Sequence, residues 1–341
     1  MKKILIAAGG TGGHLLPAQQ LAELLQREEA QVIFAGYKLD KSPYFQREKF
    51  DFREIPAAPL SGWKFFSQLL VGGWKAFRLF LKEKPDVVVG FGSYHTAPVL
   101  LAATLLGKKI VLFEANRTLG KVNRLFRPFA KKVAWQFLPS RAHPSKDLLV
   151  APFPWIFPPK KDSKSAREEL GLDPDKFTAL VFGGSQGAAF LNEIMPQVAS
   201  ALPHMQWIHI AGNETAATQV RLQYGPRAKV FSFTSNMPLL YAAADAALCR
   251  SGAGTVSELL RFHVPALLIP FPHATDNHQK HNADLLVEKG GAICLDQAEA
   301  TLEALKKNIE TLDWKRMHLA LRSVEEQNHS LMKLEHLINE L

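Results

Sequence analysis

Each half of this 341-residue chain begins with the same arrangement of apolar strand, glycine-rich turn and helix. Residues 2–8 read as a strand, and a turn rich in glycine leads to a helix with Pro17 near its first position. Residues 177–202 repeat the arrangement. Because further apolar strands alternate with helices in both halves, the sequence predicts two Rossmann-like α/β domains, each built on a doubly wound parallel sheet.

Proline and polar residues mark the boundary between the two domains. We expect an N-terminal domain at residues 1–150, a linker at 151–165 and a C-terminal domain at 166–322. A final helix at 323–341 carries an apolar stripe that must be covered. We expect this helix to cross back and complete the first domain.

Charge is distributed unevenly along the chain. Residues 1–150 hold 23 Lys and Arg against 11 Asp and Glu, a net +12, whereas the remainder carries −3. A basic face of this kind usually meets phosphate, in nucleic acid or in anionic lipid. The apolar start is broken by glycines and favours a strand over a signal peptide. Because two cysteines make no disulfide framework, a reducing cytoplasm is expected.

The two glycine turns predict phosphate binding without a nicotinamide fingerprint. Each turn can hold a phosphate at a helix N-terminus. The third glycine of Gly-x-Gly-x-x-Gly would fall at Leu15, and the second strand ends at Gly36 without the ribose-binding acid. No Walker lysine follows either turn. The Asp-Pro-Asp at 173–175 lies in a polar turn, so we do not assign it to a metal.

A further small-residue turn lies within Leu-Cys-Arg-Ser-Gly-Ala-Gly-Thr-Val-Ser-Glu at 248–258. Backbone N–H groups can crowd a phosphate at such a helix start. Neutral polar side chains that follow the next strand suit sugar hydroxyls. Two interpretations of Thr255-x-x-Glu258 stay open: a capping box, in which Glu258 serves only the helix start, or a carboxylate that accepts two ribose hydroxyls.

His14 lies between the first glycine turn and the first helix. One interpretation is a loop histidine bonded to the backbone. The other is a general base, because the dipole of a helix N-terminus disfavours imidazolium and a base must be neutral.

Residues 62–84 combine aromatic and basic side chains, and no acid occurs among them before Glu83. Aromatic residues at helical spacing more often form core. Lys and Arg mixed with Trp and Phe are also typical of a helix at a lipid interface. The expected interface residues are Trp63, Phe66, Leu70, Trp74, Lys75, Phe77, Arg78 and Lys82.

Six motifs, in order along nearly the whole chain, resemble the bacterial peptidoglycan N-acetylglucosaminyltransferases that make lipid II. They are Gly-Gly-Thr-Gly-Gly-His-x-x-Pro at 9–17, Gly-Phe-Gly-Ser-Tyr-x-x-x-Pro at 90–98, Glu-x-Asn at 114–116, Gly-Gly-Ser-Gln-Gly-Ala at 183–188, Cys-Arg-Ser-Gly-Ala-x-Thr-x-Ser-Glu at 249–258 and His-Gln-x-x-Asn-Ala at 278–283.

The resemblance implies a GT-B fold, with two Rossmann-like domains facing a cleft. It implies inverting transfer of N-acetylglucosamine from UDP-GlcNAc to the 4-hydroxyl of lipid I, which is undecaprenyl-pyrophosphoryl-N-acetylmuramyl-pentapeptide. No cofactor and no metal are expected, because helix dipoles and backbone amides stabilise the departing UDP. The expected partners are UDP-GlcNAc, lipid I, the cytoplasmic face of an anionic membrane and other cell-wall synthesis proteins, but no nucleic acid. The protein should be peripheral on the cytoplasmic side.

Site residues follow from the motif positions. The resemblance implies His14 as the base, with Glu114 as a second catalytic residue. The acceptor is expected to contact Gly13, His14, Tyr94 and Glu114. The donor is expected to contact Thr11, Gly12, Gly13, Asn116, Gly184, Ser185, Gln186, Ser251, Ala253, Gly254, Thr255, Glu258, His278 and Gln279.

This sequence departs from the family pattern at three places. The linker lacks Gly-Asn-Pro and the following arginine that reaches the nucleotide, so Trp155 is a candidate to stack on the base. Phe113 stands where the family often has histidine, and Gly254 replaces a larger apolar residue. Two other functions are weighed: a nonhydrolysing UDP-GlcNAc 2-epimerase, which needs several acidic groups in the cleft, and a non-enzymatic basic protein that binds membranes or nucleic acid.

Overall fold

The computed structural model describes residues 1–59, 63–139, 141–150, 161–184, 187–328 and 333–341, with residues 63–65 and 324–328 described for the backbone only. The chain divides into two compact units. Unit 1 comprises Met1–Trp155 and Ser330–Leu341, and unit 2 comprises Ile156–His329. Residues 151–160 of the expected linker, including Trp155, lie outside the described residues.

Unit 1 is built on a seven-stranded sheet in which all pairs are parallel. Its strands are β1 (Lys3–Ala7), β2 (Gln31–Gly36), β3 (Phe52–Glu54), β4 (Val87–Gly90), β5 (Lys109–Glu114), β6 (Lys132–Trp135) and β7 (Asp147–Leu149), in the order β3-β2-β1-β4-β5-β6-β7. Its first helices are α1 (Gly12–Arg27), α2 (Trp63–Glu83), α3 (Ala97–Leu105) and α4 (Lys121–Phe126).

The continuous apolar run of β1 is explained by helices on both faces of the sheet. Ile4 and Ile6 pack in the cluster that contains the buried face of α1. Leu5 points to the other face and packs with residues of α2 and α3, beside Val88 of the neighbouring strand. Strands buried on both faces are typical of parallel sheets in α/β proteins.

Unit 2 has a six-stranded parallel sheet. Its strands are β8 (Thr178–Phe182), β9 (Gln206–Ile210), β10 (Ala228–Phe231), β11 (Ala246–Cys249), β12 (Ala266–Leu268) and β13 (Ala292–Cys294), in the order β10-β9-β8-β11-β12-β13. Its helices are α5 (Ser163–Glu169), α6 (Ala189–Ala201), α7 (Glu214–Tyr224), α8 (Met237–Ala243), α9 (Ala253–Phe262), α10 (His278–Glu288), α11 (Leu302–Thr311) and α12 (Trp314–Asn328).

The last helix, α13 (Leu334–Glu340), belongs to unit 1. Leu334, Leu337 and Ile338 are buried in the same apolar cluster as α1. Lys2 Nζ donates hydrogen bonds of 2.9 Å to two carbonyls of this helix. The structure corrects the expected helix at 323–341: residues up to Asn328 continue α12 in unit 2, whereas the helix that belongs to unit 1 spans Leu334–Glu340.

The start of α1 also differs from the expected one. The helix begins at Gly12, so Pro17 lies inside it, where it lacks the N–H for one backbone hydrogen bond. His14 consequently lies in the first turn of a helix.

Both sheets have a topological switch point at the first strand of their unit. β1 lies between β2 and β4, and β8 lies between β9 and β11. In open parallel sheets, ligands bind outside the carboxyl ends of the strands at this point. Ligand-binding residues are therefore expected in the segments after β1 and β4 in unit 1, and in those after β8 and β11 in unit 2.

Candidate active site

The glycine turn after β1 rests directly on a buried histidine. A side chain at Gly9 would bring its Cβ within 2.6 Å of the Cβ of His95. Gly10 has a φ of +92°, a conformation that side-chain-bearing residues rarely adopt. The approach of backbone to imidazole is what requires glycine here.

His95 is held by its neighbours in the segment after β4. Its Nδ1 and the Ser93 hydroxyl are 2.8 Å apart, and its ring stacks on Tyr94 with a centroid distance of 4.0 Å. Burial, together with the nearby His14 and Lys38, lowers the pKa of His95 to about 4. A neutral ring therefore supports the turn.

His14 is half-buried in the first turn of α1. Its Nδ1 lies 2.8 Å from the carbonyl oxygen of Phe91, which follows β4. A carbonyl can only accept, so Nδ1 carries the proton and the lone pair of the neutral ring lies on Nε2. The backbone bond and the base interpretation are thus compatible, because the bond selects the tautomer that a base requires.

Glu114 ends β5, and its carboxylate accepts four hydrogen bonds. Oε1 accepts from the backbone and side-chain nitrogens of Asn116, both at 3.1 Å. Oε2 accepts from Gly120 N and Asn123 Nδ2, both at 3.0 Å. The residue is only 4% exposed. This geometry suits a residue that positions the loop after β5, and the catalytic role that the motif implied stays a prediction.

The other expected site residues of unit 1 lie around the same switch point. Thr11 and Gly13 are exposed at the start of α1, where Gly12 is buried. Tyr94 begins the short 3₁₀ turn after β4, and Asn116 is fixed by Glu114. Four of the residues expected to bind the donor therefore belong to unit 1.

In unit 2, the switch point presents the N-terminus of α9. Its N-cap is Gly252, which has no side chain to cap the helix, and its first turn holds no acid. A Cβ at Gly254 would meet nothing within 4 Å. The first-turn amides of Ala253, Gly254 and Thr255 and the helix dipole therefore offer an anion site with room for a phosphate.

Glu258 lies one turn inside α9. Since the helix starts at Ala253, Thr255 is its third residue and not its cap, which excludes the capping-box interpretation. The Tyr241 hydroxyl donates a 2.5 Å hydrogen bond to Oε2 of Glu258. Burial raises the pKa of Glu258 to about 7, against the opposing effect of this hydrogen bond. The carboxylate therefore titrates in the neutral range.

Ser251 ties the turn after β11 to the start of α10. It is fully buried, its Oγ donates to the carbonyl of Gln279 at 2.7 Å, and its own carbonyl accepts from Asn282 Nδ2. Gln279 Oε1 accepts from the amide of Phe271 at 2.9 Å. The side-chain NH₂ is thus the group of Gln279 that can donate a hydrogen bond. His278 is fixed by a carbonyl of the preceding 3₁₀ turn, 2.7 Å from its Nδ1.

The turn after β8 adds a second helix start at the switch point of unit 2. Gly184 has a φ of +88°, and a Cβ at Gly187 would lie 2.3 Å from the carbonyl oxygen of Ala211. α6 follows with no side-chain cap. Ser185 and Gln186, both expected to bind the donor, lie outside the described residues.

Three residues with roles at these turns were not among the expected site residues. His95 supports the first glycine turn, and Tyr241 holds Glu258. Arg250 donates to the carbonyls of Ile269 and Pro270, and so fixes the turn after β11. Arg250 stood inside a quoted motif, whereas nothing in the sequence pattern connects Tyr241 with Glu258, 17 residues away.

α2 has one buried face and one exposed apolar face. Ala76, Leu79 and Phe80 pack in the core of unit 1, so the core interpretation holds for that face. Phe66, Leu70 and Trp74 are 67%, 74% and 63% exposed. Phe77 is half-buried and stacks on Trp74, whereas Lys75, Arg78 and Lys82 are exposed. The Trp63 side chain lies outside the described part of the chain. No helix within the described ranges is long and apolar enough to cross a membrane.

Comparison with known proteins identifies the family of this chain. Residues 4–135 match the N-terminal domain of glycosyltransferase family 28, and residues 178–338 match its C-terminal domain. The chain belongs to glycosyltransferase family 28. This family 28 protein is 39% identical over 329 residues to a relative from Protochlamydia amoebophila (strain UWE25), covering 91% of this chain and 87% of the relative. That relative is named UDP-N-acetylglucosamine–N-acetylmuramyl-(pentapeptide) pyrophosphoryl-undecaprenol N-acetylglucosamine transferase.

Solved structures agree with the family. The crystal structure of Acinetobacter baumannii MurG superposes with a TM-score of 0.81 at 26% identity, covering 100% of both chains. The glycotransferase of kitacinnamycin gives a TM-score of 0.74 at 15% identity, covering 99% of this chain and 98% of the other, and shows the fold alone. The predicted GT-B class of two doubly wound parallel-sheet domains is confirmed for this family 28 protein.

Proposed function

We propose that this protein transfers N-acetylglucosamine from UDP-GlcNAc to the 4-hydroxyl of lipid I and so forms lipid II. The observation that carries the proposal is the uncapped start of α9, followed one turn later by a carboxylate. This combination suits a nucleoside diphosphate, with phosphate at the amides and ribose at the acid. The name of the P. amoebophila relative gives the same donor and an undecaprenol-linked muramyl pentapeptide as acceptor.

The donor half of the reaction belongs to unit 2. First-turn amides of α9, with those of α6, hold the diphosphate, and Glu258 accepts the ribose hydroxyls. As the bond between the anomeric carbon and the phosphate oxygen breaks, negative charge grows on UDP. The helix N-terminus stabilises this charge because its dipoles are already oriented. Tyr241 occupies one oxygen of Glu258 and thereby orients the other.

The acceptor half belongs to unit 1. Nε2 of His14 takes the proton of the 4-hydroxyl as that oxygen attacks the anomeric carbon on the face opposite UDP, which inverts its configuration. The Phe91 carbonyl keeps the required tautomer. Glu114 acts indirectly, by holding Asn116 and the loop after β5.

Membrane docking follows from the nature of the acceptor, since a polyprenyl lipid stays in the bilayer. The exposed apolar face of α2 would enter the interface, and its lysines and arginine would meet anionic headgroups. Each basic side chain near such a surface adds roughly 1 kcal/mol of attraction. We therefore place the protein at the cytoplasmic face of the membrane.

The test is UDP release from UDP-GlcNAc with and without lipid I in detergent. A transferase releases UDP only when lipid I is present, and the sugar appears in the lipid product. Conversion of UDP-GlcNAc to its 2-epimer without an acceptor would instead identify an epimerase. Intact UDP-GlcNAc in both reactions would reject the proposal.

A further inference from the structure

Unit 2 contains a cavity that is separate from the candidate donor site. Its volume is about 610 Å³, and it lies between α5, the end of α8, the end of α9 and α12. Among the residues that the structure describes, none of those assigned above to donor binding lines it. Small-molecule sites usually have volumes of about 300 to 1,000 Å³. The cavity thus has room for a ligand of nucleotide size.

The floor of this cavity, here called the α12 cavity, is aromatic. Tyr241 and Phe262 stack with a centroid distance of 5.1 Å and an interplanar angle of 17°. Phe177 and Trp314 form a second pair at 6.3 Å, and Trp314 is fixed by its indole N–H, which donates to a carbonyl of α11 at 3.0 Å. Tyr241, Phe262 and Trp314 are 1%, 8% and 9% exposed, so these rings form a rigid, largely buried floor that favours an apolar group in the ligand.

The rim of the α12 cavity is basic. Lys315, His318 and Arg322 recur at intervals of three and four residues and so share one face of α12. Lys315 and Arg322 make no ion pair with any residue that the structure describes. Both side chains are exposed, so an anion can reach them.

Little negative charge opposes this rim. The one acid among the described lining residues is Asp245, whose carboxylate is 2.7 Å from Arg167 and also accepts from the amide of Thr178. Residues 151–341 carry a net charge of −3. The basic rim is therefore a local cluster of positive charge in a half of the chain that is negative overall. Such a concentration attracts anions.

We propose that the α12 cavity binds an aromatic anion of nucleotide size. The aromatic part of the ligand packs against the apolar floor, and its phosphate or carboxylate binds Lys315 and Arg322. Tyr241 is part of this floor, and its hydroxyl donates a hydrogen bond to Glu258. An occupant therefore contacts a residue that positions Glu258 without entering the donor site.

The experiment measures calorimetric binding of adenosine 5′-diphosphate to the full chain with UDP in excess, so that the donor site is occupied. Inorganic pyrophosphate is the second probe, because it has the charge without the ring. We expect the nucleotide to bind at least ten times more tightly than pyrophosphate. Lys315→Glu with Arg322→Glu should weaken nucleotide binding at least tenfold.

Two further variants make the measurement specific. Lys307→Glu with Arg316→Glu changes the charge equally at exposed positions of α11 and α12 that do not line the cavity, and should bind as the wild type does. Ser163→Trp, at the exposed start of α5, fills the opening without a charge change and should abolish binding. Circular dichroism confirms that each variant is folded.

Three results would overturn the proposal: no nucleotide binding by the wild type in excess UDP, equal loss in the control variant, or undiminished binding by Ser163→Trp. None of these results depends on lipid I or on sugar transfer. Failure of the proposed function is therefore distinguishable from failure of this site.

Discussion

The affinity for UDP-GlcNAc should rise with pH through the neutral range, because Glu258 must be ionised to accept two ribose hydroxyls. Burial raises the pKa of its carboxyl from the ordinary 4.5 to about 7. The diphosphate of a UDP-sugar is substituted at both ends and so lacks the second ionisation that a phosphate monoester has near pH 6. A change of affinity in this range therefore reports on the protein.

The expected magnitude follows from the ionised fraction. With a pKa of about 7, roughly nine in ten Glu258 carboxyls are ionised at about pH 8 and one in ten at about pH 6. Affinity should thus fall about tenfold between these values, or about 1.4 kcal/mol. Glu258→Gln should weaken binding at about pH 8 by roughly 1 to 3 kcal/mol and remove the pH dependence.

Stability of the ligand-free protein should move in the opposite direction. A carboxyl whose pKa is higher in the folded state binds its proton more tightly there, so it lowers stability as pH rises from about 4.5 to about 7. The full shift is equivalent to about 3 kcal/mol. We expect about 1 to 2 kcal/mol, because Glu258 is only half-buried and solvent screens part of the effect. Glu258→Gln should therefore stabilise unit 2 at about pH 8 and not at about pH 5.

Calorimetry of UDP-GlcNAc binding and thermal unfolding across this pH range measure both effects. Glu310→Gln, at an exposed position of α11, removes one carboxylate away from the site and serves as the control. Donor affinity that is independent of pH in the wild type, or equal stabilisation by both variants at both pH values, would refute the reasoning.

Three other predictions concern unit 1. His14→Ala should slow the chemical step by about 10² to 10⁴-fold and leave UDP binding intact. The control His143→Ala, at an exposed position, should not slow it, and a loss below tenfold for His14→Ala at saturating substrates contradicts a base role. Ile338→Ala should cost about 2 to 5 kcal/mol, seen as lost amide protection in unit 1, and selective loss in unit 2 would contradict the packing of α13. Glu substitutions at Lys75, Arg78 and Lys82 should abolish binding to anionic vesicles and spare turnover of a soluble acceptor; equal loss on both acceptors would contradict docking.

Much of the fold could be predicted from local pattern. Runs such as residues 86–90 have a strand length and composition, and each glycine turn between a strand and a helix indicates a βα unit. The uncapped start of α9 could be predicted for the same reason, since small residues before a helix leave its amides accessible. His14 could be found because it adjoins such a turn.

What could not be predicted depends on contacts between distant segments. The hydrogen bonds that the Glu114 carboxylate accepts depend on the path of the loop from Asn116 to Asn123. The neutral-range pKa of Glu258 depends on its burial in the folded unit, where Tyr241 from another helix donates to it. His95 supports Gly9 across two neighbouring strands. Spacing along a sequence carries no information on such distances, so these residues could be assigned only after the fold was known.

The chemical structure of the reaction product tests the proposed transfer most directly. The protein is incubated with UDP-GlcNAc and lipid I, and the linkage of the lipid product is determined by NMR spectroscopy. Inverting transfer from the α-linked donor predicts a β-linked N-acetylglucosamine on the 4-oxygen of the muramyl residue. An α linkage, attachment at another oxygen, or a modified sugar nucleotide without any glycosylated lipid would contradict the central claim.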